Sequence, residues 1–216
     1  MVVAIDGPAG VGKSTIARAL AKKLGFYYLN TGSFYRAITL SCLDKGIDVL
    51  DQEKVLENAK SIKLSVKDGD ICIDGVDVES RLHLPEVDLN ASYVSSNPDL
   101  RHYLNSVMIS IVDGMDIVTE GRDTTTVVFP NAEVKCYFDA QPEVRAKRRM
   151  DQIKTDQTYE EILKKINERD ENDKNKGFGA LKIAKDAIYI DTSYLTIDEV
   201  CEKVITAIKC YGVDIV

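Results

Sequence analysis

The spacing of apolar and polar positions changes several times along the chain, and each change marks an element. "MVVAI" is an unbroken apolar, β-branched run, as expected of a strand buried on both faces. After a glycine-rich loop, Ile16, Ala17, Leu20, Ala21 and Leu24 recur at helical spacing until Gly25 stops the pattern. "FYYLN" reads as a second strand and "SFYRAITLSCL" as a second helix, which puts Thr31 and Gly32 at a strand end and Arg36 one turn into the helix. From about Ser61 the period falls to two. "IKLSVKDGDICIDGVDV" alternates, with turn signals at Asp68-Gly69 and Asp74-Gly75, so an antiparallel insert is expected over roughly residues 62–90. Asn97 and Pro98 open another helix, as N-cap and first helical residue. "DIVTEG", "VKCYFDA" and "AIYID" are further strands. "PEVRAKRRMDQIK", "TYEEILKKINERDEND" and "TIDEVCEKVITAIKC" are helices, the last two preceded by capping-box pairs Thr158/Glu161 and Thr196/Glu199. Strands alternating with helices predict an α/β fold with a parallel sheet covered by helices on both sides.

Composition narrows the function. The 216 residues suit one globular unit with a small inserted lobe, and a formal charge of -7 disfavours a nucleic-acid partner. Cys42, Cys72, Cys136, Cys201 and Cys210 are odd in number and form no CxxC pair, so they read as reduced and structural. His83 and His102 are too few for a zinc site. No apolar run is as long as a membrane span, and "VVAID" has no basic segment before it, so a cytoplasmic protein is expected.

The candidate chemistry begins at "GPAGVGKST". Gly7, Gly12, Lys13 and Ser14 fit the pattern GxxxxGK[ST], between a predicted strand and a predicted helix. Glycines let successive backbone N–H groups converge on an oxyanion, and a helix N-terminus adds its partial positive charge. The loop Gly7, Pro8, Ala9, Gly10, Val11, Gly12, Lys13, Ser14 and Thr15 is thus a nucleoside triphosphate site, with Lys13 on the β- and γ-phosphates and the Ser14 hydroxyl on Mg²⁺. No guanine-reading Asn-Lys-x-Asp occurs, and Glu120 and Asp139 each stand alone at a strand end rather than in the acidic pair of a motor ATPase.

A kinase needs a second pocket. "NTGSFYRAI" offers Thr31 and Arg36, and "TEGRDTTTVVFP" offers Glu120, Arg122 and Asp123, all near carboxyl ends of predicted strands, where open parallel sheets bind ligands. Arg36 and Arg122 suit an acceptor phosphate, and Asp123 suits an exocyclic amine of a base. Each also has a plainer reading, a solvated helix arginine for Arg36 and a loop ion pair for Arg122 with Asp123. Arg145, Arg148 and Arg149 share a helix face, with Arg169 and Lys176 beyond the connector "TDQT". They read either as an ordinary solvated face or as a lid over residues 145–180 that brings Arg148, Arg149 and Arg169 to a triphosphate.

Together these stretches resemble the bacterial cytidylate kinases of the longer type. "IDGPAGVGKST", "NTGSFYRAIT", "EGRDTTTVVFPNAEVK", "RAKRRM", "ERDENDKN" and "AIYIDTS" match that family in order and spacing over essentially the whole chain. The resemblance implies an adenylate-kinase-like core with a five-stranded parallel sheet, and a hairpin insert that helps bind the monophosphate. It implies Thr31, Arg36 and Arg122 near the acceptor, Ser92, Arg101 and Asp123 as readers of cytosine, and Arg169 and Asp173 at ribose and lid positions. The implied reaction is ATP-dependent phosphorylation of CMP, and of dCMP. A monomer is expected. Lys176 stands where the family usually has an arginine, Thr124 and Thr125 where it has an apolar residue and a glycine, His83 for an arginine and Met108 for a glutamine. A glycine position with positive φ would leave Thr125 strained. A kinase of UMP, AMP or shikimate, a non-enzymatic nucleotide switch and an RNA-associated ATPase are the alternatives to be separated.

Overall fold

The computed structural model describes residues 1–67, 69–152 and 157–210. The chain divides into two compact units, Met1–Tyr28 with Asp116–Val216, and Leu29–Met115.

The first unit is organised by a five-stranded sheet of order β2-β6-β1-β7-β8, formed by β1 (Val2–Asp6), β2 (Tyr27–Asn30), β6 (Ile117–Gly121), β7 (Val134–Asp139) and β8 (Ile188–Asp191). β1 runs parallel to both β6 and β7, and β7 parallel to β8. The register sets Asp6 opposite Gly121 on one side and Tyr137 on the other. The phosphate-loop strand therefore lies at the centre, flanked by β6, which carries Glu120 and leads into Arg122 and Asp123, and by β7, which ends at Asp139. Helix α1 (Lys13–Leu24) buries Ile16, Ala17, Leu20 and Ala21 against the sheet, with Val200, Val204 and Ile208 of α8 (Ile197–Cys210) in the same core. A fully buried leucine such as Leu20 contributes about 2–5 kcal/mol over alanine in such a core. Gly25, left-handed at φ 69, ends α1. Helices α6 (Pro142–Gln152) and α7 (Tyr159–Asn175) form a smaller core of Ala146, Ile162 and Ile166. Both capping boxes form: Thr158 and Glu161 bond reciprocally at 2.9 and 3.3 Å, and Thr196 and Glu199 at 2.8 and 3.3 Å. The connector "TDQT" holds residues 155 and 156, which lie outside those described.

The second unit packs α2 (Thr31–Asp44), α3 (Gln52–Ser61), α4 (Pro85–Val94) and α5 (Pro98–Ile111) with a three-stranded antiparallel sheet, β3 (Leu64–Lys67), β4 (Asp70–Ile73) and β5 (Val76–Asp77). Its core includes the fully buried Phe34, Ile38, Leu82, Leu100, Leu104 and Met108. The β4–β5 turn uses Asp74 and Gly75, both at positive φ, as the sequence predicts. Residue 68 of the other turn signal lies outside the described residues.

Local structure departs from expectation in three places. Thr31 and Gly32 follow the end of β2 directly, as expected, but already belong to α2: the Asn30 side chain accepts from the amides of Gly32 and Ser33, so α2 starts at Thr31, before the expected Ser33, and Arg36 falls in its second turn. The antiparallel strands stop at Asp77, and Pro85 starts a helix whose first turn carries Glu86 and Asp88. "TTTVV" forms a π-helical turn, Thr124–Val128, and only Asp74 among the described non-glycine residues has positive φ, so Thr125 carries no backbone strain of that kind.

Candidate active site

The phosphate loop leaves β1 at Asp6 and re-enters helix at Lys13. Gly7 passes so close to β7 that a Cβ there would lie 2.1 Å from the Phe138 carbonyl oxygen. Gly12, at φ 91, is the left-handed N-cap of α1, where no side chain caps the helix, so its first amides point into the loop. Lys13 is buried and its ammonium donates to the Pro8 carbonyl at 2.7 Å. Burial, and secondarily the Arg122 charge, pull its pKa down to about 7. Ser14 donates to Glu120 Oε1 at 2.7 Å, across from the end of β6, and Thr15 is exposed. A hydroxyl and a carboxylate in contact are hard oxygen donors of the kind that hold Mg²⁺, so the residues present fit that ion.

Asp6 is fully buried. Its Oδ1 accepts from the Thr124 amide at 2.9 Å, and its Oδ2 from the Thr125 amide at 2.7 Å and the Thr125 hydroxyl at 2.6 Å. Burial raises its pKa, opposed by the Thr125 and Thr124 donors. The next residues on that segment are two sequence candidates. Arg122, half-buried, donates from Nε to Asp173 Oδ2 at 2.8 Å. Asp123 is buried, and its carbonyl accepts from the amides of Val127 and Val128 at 2.8 and 3.3 Å, so its backbone caps the π turn. Asp173 also accepts from Lys176 Nζ at 3.0 Å. Burial alone would raise the Asp173 pKa, but Arg122 and Lys176 outweigh it and hold the carboxyl at about 2. Arg122 thus forms an ion pair with Asp173 of α7.

The lid arginines separate in the structure. Arg145 is not part of a solvated basic face: it is buried, pairs with Asp170 at 2.6 Å and donates to the carbonyls of Ala140 and Ala9 at 2.9 and 3.1 Å. Arg148 is half-buried, donating to the Thr192 carbonyl at 2.5 Å and the Ser193 carbonyl at 3.3 Å. Arg149 and Arg169 are exposed on α6 and α7.

In the second unit Thr31 is buried at the start of α2. Arg36 is held by Asp88 of α4 through Nε at 3.2 Å and Nη2 at 3.0 Å, with the exposed His83 4.0 Å from the same carboxylate. Arg101 is buried, donates to the Ser95 carbonyl at 3.0 Å and stands 5.1 Å over the Tyr35 ring. Ser92 is exposed on α4. Met108 is fully buried and fills the core.

Two features are absent from the sequence reading: the contact of Glu120 with Ser14, which only the β1–β6 register creates, and the buried carboxylate of Asp6. Arg145, there one of a basic group with Arg148 and Arg149, is buried instead. The signal for Asp6 is its place at the end of an apolar strand, just before the loop.

With that geometry in place, the relatives are informative. The family model described as Cytidylate kinase matches residues 3–210. The cytidylate kinase of Caldanaerobacter subterraneus subsp. tengcongensis is 42% identical over 210 residues, covering 96% of this chain and 94% of that protein. That of Borrelia hermsii is also 42% identical, covering 95% of this chain and 96% of that protein. Among solved structures, a shikimate kinase from Bacteroides thetaiotaomicron superposes with a TM-score of 0.53 at 11% identity over 97% of this chain and 98% of that one. A gluconokinase from Sinorhizobium meliloti gives 0.52 at 11% over 97% of this chain and 91% of that one, and both likenesses show a shared fold. The match spans nearly every residue from the first strand to the last helix, and on it the chain belongs to the cytidylate kinase family.

Proposed function

We infer that this chain transfers the γ-phosphoryl group of ATP to CMP, giving CDP and ADP. The observation that carries the reading is family membership along the whole chain, together with a phosphate loop in which Lys13, Ser14 and Glu120 are gathered at one sheet edge. As finer proposals, dCMP is a second acceptor, Mg²⁺ accompanies the donor, and the protein is a cytoplasmic monomer that uses neither nucleic acid nor membrane. No helix among the described residues is long and apolar enough to cross a membrane.

The acceptor phosphate is already an anionic nucleophile, so the chemistry needs alignment and charge compensation rather than a covalent intermediate. Loop amides and Lys13 take the donor phosphates, with Arg148 assigned to the donor nucleotide. Arg122, Arg149 and Arg169 offset the charge that spreads over the transferred group. Ser14 and Glu120 would hold Mg²⁺, which when bound neutralises phosphate charge. Thr31, Arg36, Arg122 and Lys176 are assigned to the acceptor phosphate side, and Ser92, Arg101 and Asp123 to cytosine. Arg169 and Asp173 are assigned to the sugar. Each Asp173 oxygen already takes one hydrogen bond and keeps a lone pair for a sugar hydroxyl. Since a single hydroxyl satisfies that need, dCMP remains an acceptor. Residues 62–90 are assigned to monophosphate binding and 145–180 to a lid, of which 153–156 lie outside the described residues.

An ADP-release assay with CMP, dCMP, UMP, AMP and shikimate as competing acceptors tests this. CMP and dCMP turnover well above the rest is expected. Faster turnover of UMP, AMP or shikimate overturns the acceptor assignment, and no turnover with any of them overturns the kinase.

A further inference from the structure

One fully buried and well-bonded charge in the first unit is left without a task by the reaction scheme. Asp6 ends β1 and immediately precedes Gly7 of the phosphate loop. Its carboxylate is fully buried, and its donors are two backbone amides and one hydroxyl, all from Thr124 and Thr125. A buried carboxylate is tolerated only when it is saturated in this way. The amides are the first of a π-helical turn, closed by the Phe129 amide on the Thr124 carbonyl at 2.8 Å. π turns are uncommon and recur at functional sites. A negative charge at their amino end also complements the aligned amide dipoles.

We propose that Asp6 and Thr125 are a positioning pair for phosphoryl transfer. The carboxylate at the end of the phosphate-loop strand, through the Thr125 hydroxyl, fixes the Gly121–Val128 segment and with it Arg122 and Asp123. The inference rests on the reading that Arg122 and Asp123 face the acceptor. The segment leaves β6 opposite Asp6, and Arg122 follows that register position directly. Two amides alone hold the backbone of Thr124 and Thr125. The hydroxyl, at 2.6 Å from Oδ2, adds a short charge-assisted bond, and it belongs to a side chain that a glycine at this position would not supply. Displacement of an aligned cation by a fraction of an ångström is felt in the transition state more than in the ground state. The pair should therefore act on kcat and on the acceptor, and leave the donor loop intact.

The test is steady-state kinetics of Thr125→Ala and Thr125→Ser beside wild type, with thermal melting of each. Thr125→Ala is expected to lose kcat with CMP about tenfold while the KM for ATP stays within about twofold. Thr125→Ser, which keeps the hydroxyl, should recover kcat to within about twofold of wild type. A kcat unchanged in Thr125→Ala, or a fall as deep in Thr125→Ser, overturns the proposal, because a hydroxyl that merely satisfies the core would move only the melting temperature. Should Thr125→Ala not fold, Thr125→Val, which keeps the volume, takes its place with the same expectations. A wild-type protein inactive on CMP refutes the functional reading. An active wild type with unaffected variants refutes the positioning pair alone.

Discussion

Arg145 and Asp170 meet at 2.6 Å in a buried ion pair, and the same guanidinium holds the carbonyl of Ala9 in the phosphate loop. Helix α6 is thereby clamped to α7 and to the loop by one side chain. The contact also explains the loop's second glycine: a Cβ at Gly10 would lie 3.1 Å from Arg145 Cβ.

Arg145→Ala should consequently be a stability variant before it is a kinetic one. It leaves Asp170 buried without its cation, a situation that costs about 3–5 kcal/mol. Adding Asp170→Asn removes the stranded charge and should recover part of the loss. Denaturant unfolding of the single and double variants checks this, and a single variant as stable as wild type contradicts the clamp.

Asp173 makes a pH-dependent contribution. Its folded pKa of about 2 lies below the usual 3.8, so its stabilisation is fully present above about pH 4 and is lost as pH falls through about 2. The shift corresponds to about 2 kcal/mol. Asp173→Asn should be less stable than wild type by roughly that amount at pH 7, with the two converging near pH 2, as unfolding measured across that range will show. A constant difference would assign the effect to packing rather than charge.

What could be read from the residues follows interaction range. Strand β1, the loop and α1 are specified within a single stretch of sequence, since apolar period, glycines and Lys13 are all local signals. Both capping boxes and the Asn97 cap were legible for the same reason. The π turn at Thr124 was not, because its first amides answer a carboxylate at Asp6, 118 positions away. Arg145 and Arg149 look alike in the string "RAKRRM". Only the packing of α6 against α7 buries the first and exposes the second. Helix α4 was obscured by the alternation before it, although Pro85 and the acidic first turn mark its start.

Arg36 and Asp88 give a prediction about the acceptor. On the proposed function Arg36 binds the CMP phosphate, and in the free protein two of its nitrogens already hold Asp88. A phosphate must compete with that carboxylate. Asp88→Asn should lower the KM for CMP severalfold and leave kcat and the KM for ATP within about twofold, the pair being partly exposed and so worth about 1 kcal/mol or less. In an Arg36→Ala background the gain should vanish. A higher KM in Asp88→Asn would instead make Asp88 the group that orients Arg36.

On the proposed function, Lys13 links proton and nucleotide binding. With its pKa at about 7, the free protein at pH 8 holds this lysine mostly neutral, chiefly because it is buried. A triphosphate placed on it favours the ammonium, so ATP binding at pH 8 should take up close to one proton, falling to little at pH 6 where the lysine is already charged. Calorimetric titration in buffers of different ionisation enthalpy measures that number, and Lys13→Met should abolish it along with at least about 10³ of the turnover. The sign for folding follows from the same value. Between about pH 7 and 10.5 the unfolded chain binds a proton that the folded one does not, so stability gains from this residue as pH rises through that window. Below it the wild type bears the full cost of a buried ammonium, and Lys13→Met should be the more stable protein at pH 6 by roughly 2–4 kcal/mol. Equal stabilities at pH 6, with proton uptake unchanged by the substitution, would mean that Lys13 is charged in the free loop at every pH tested.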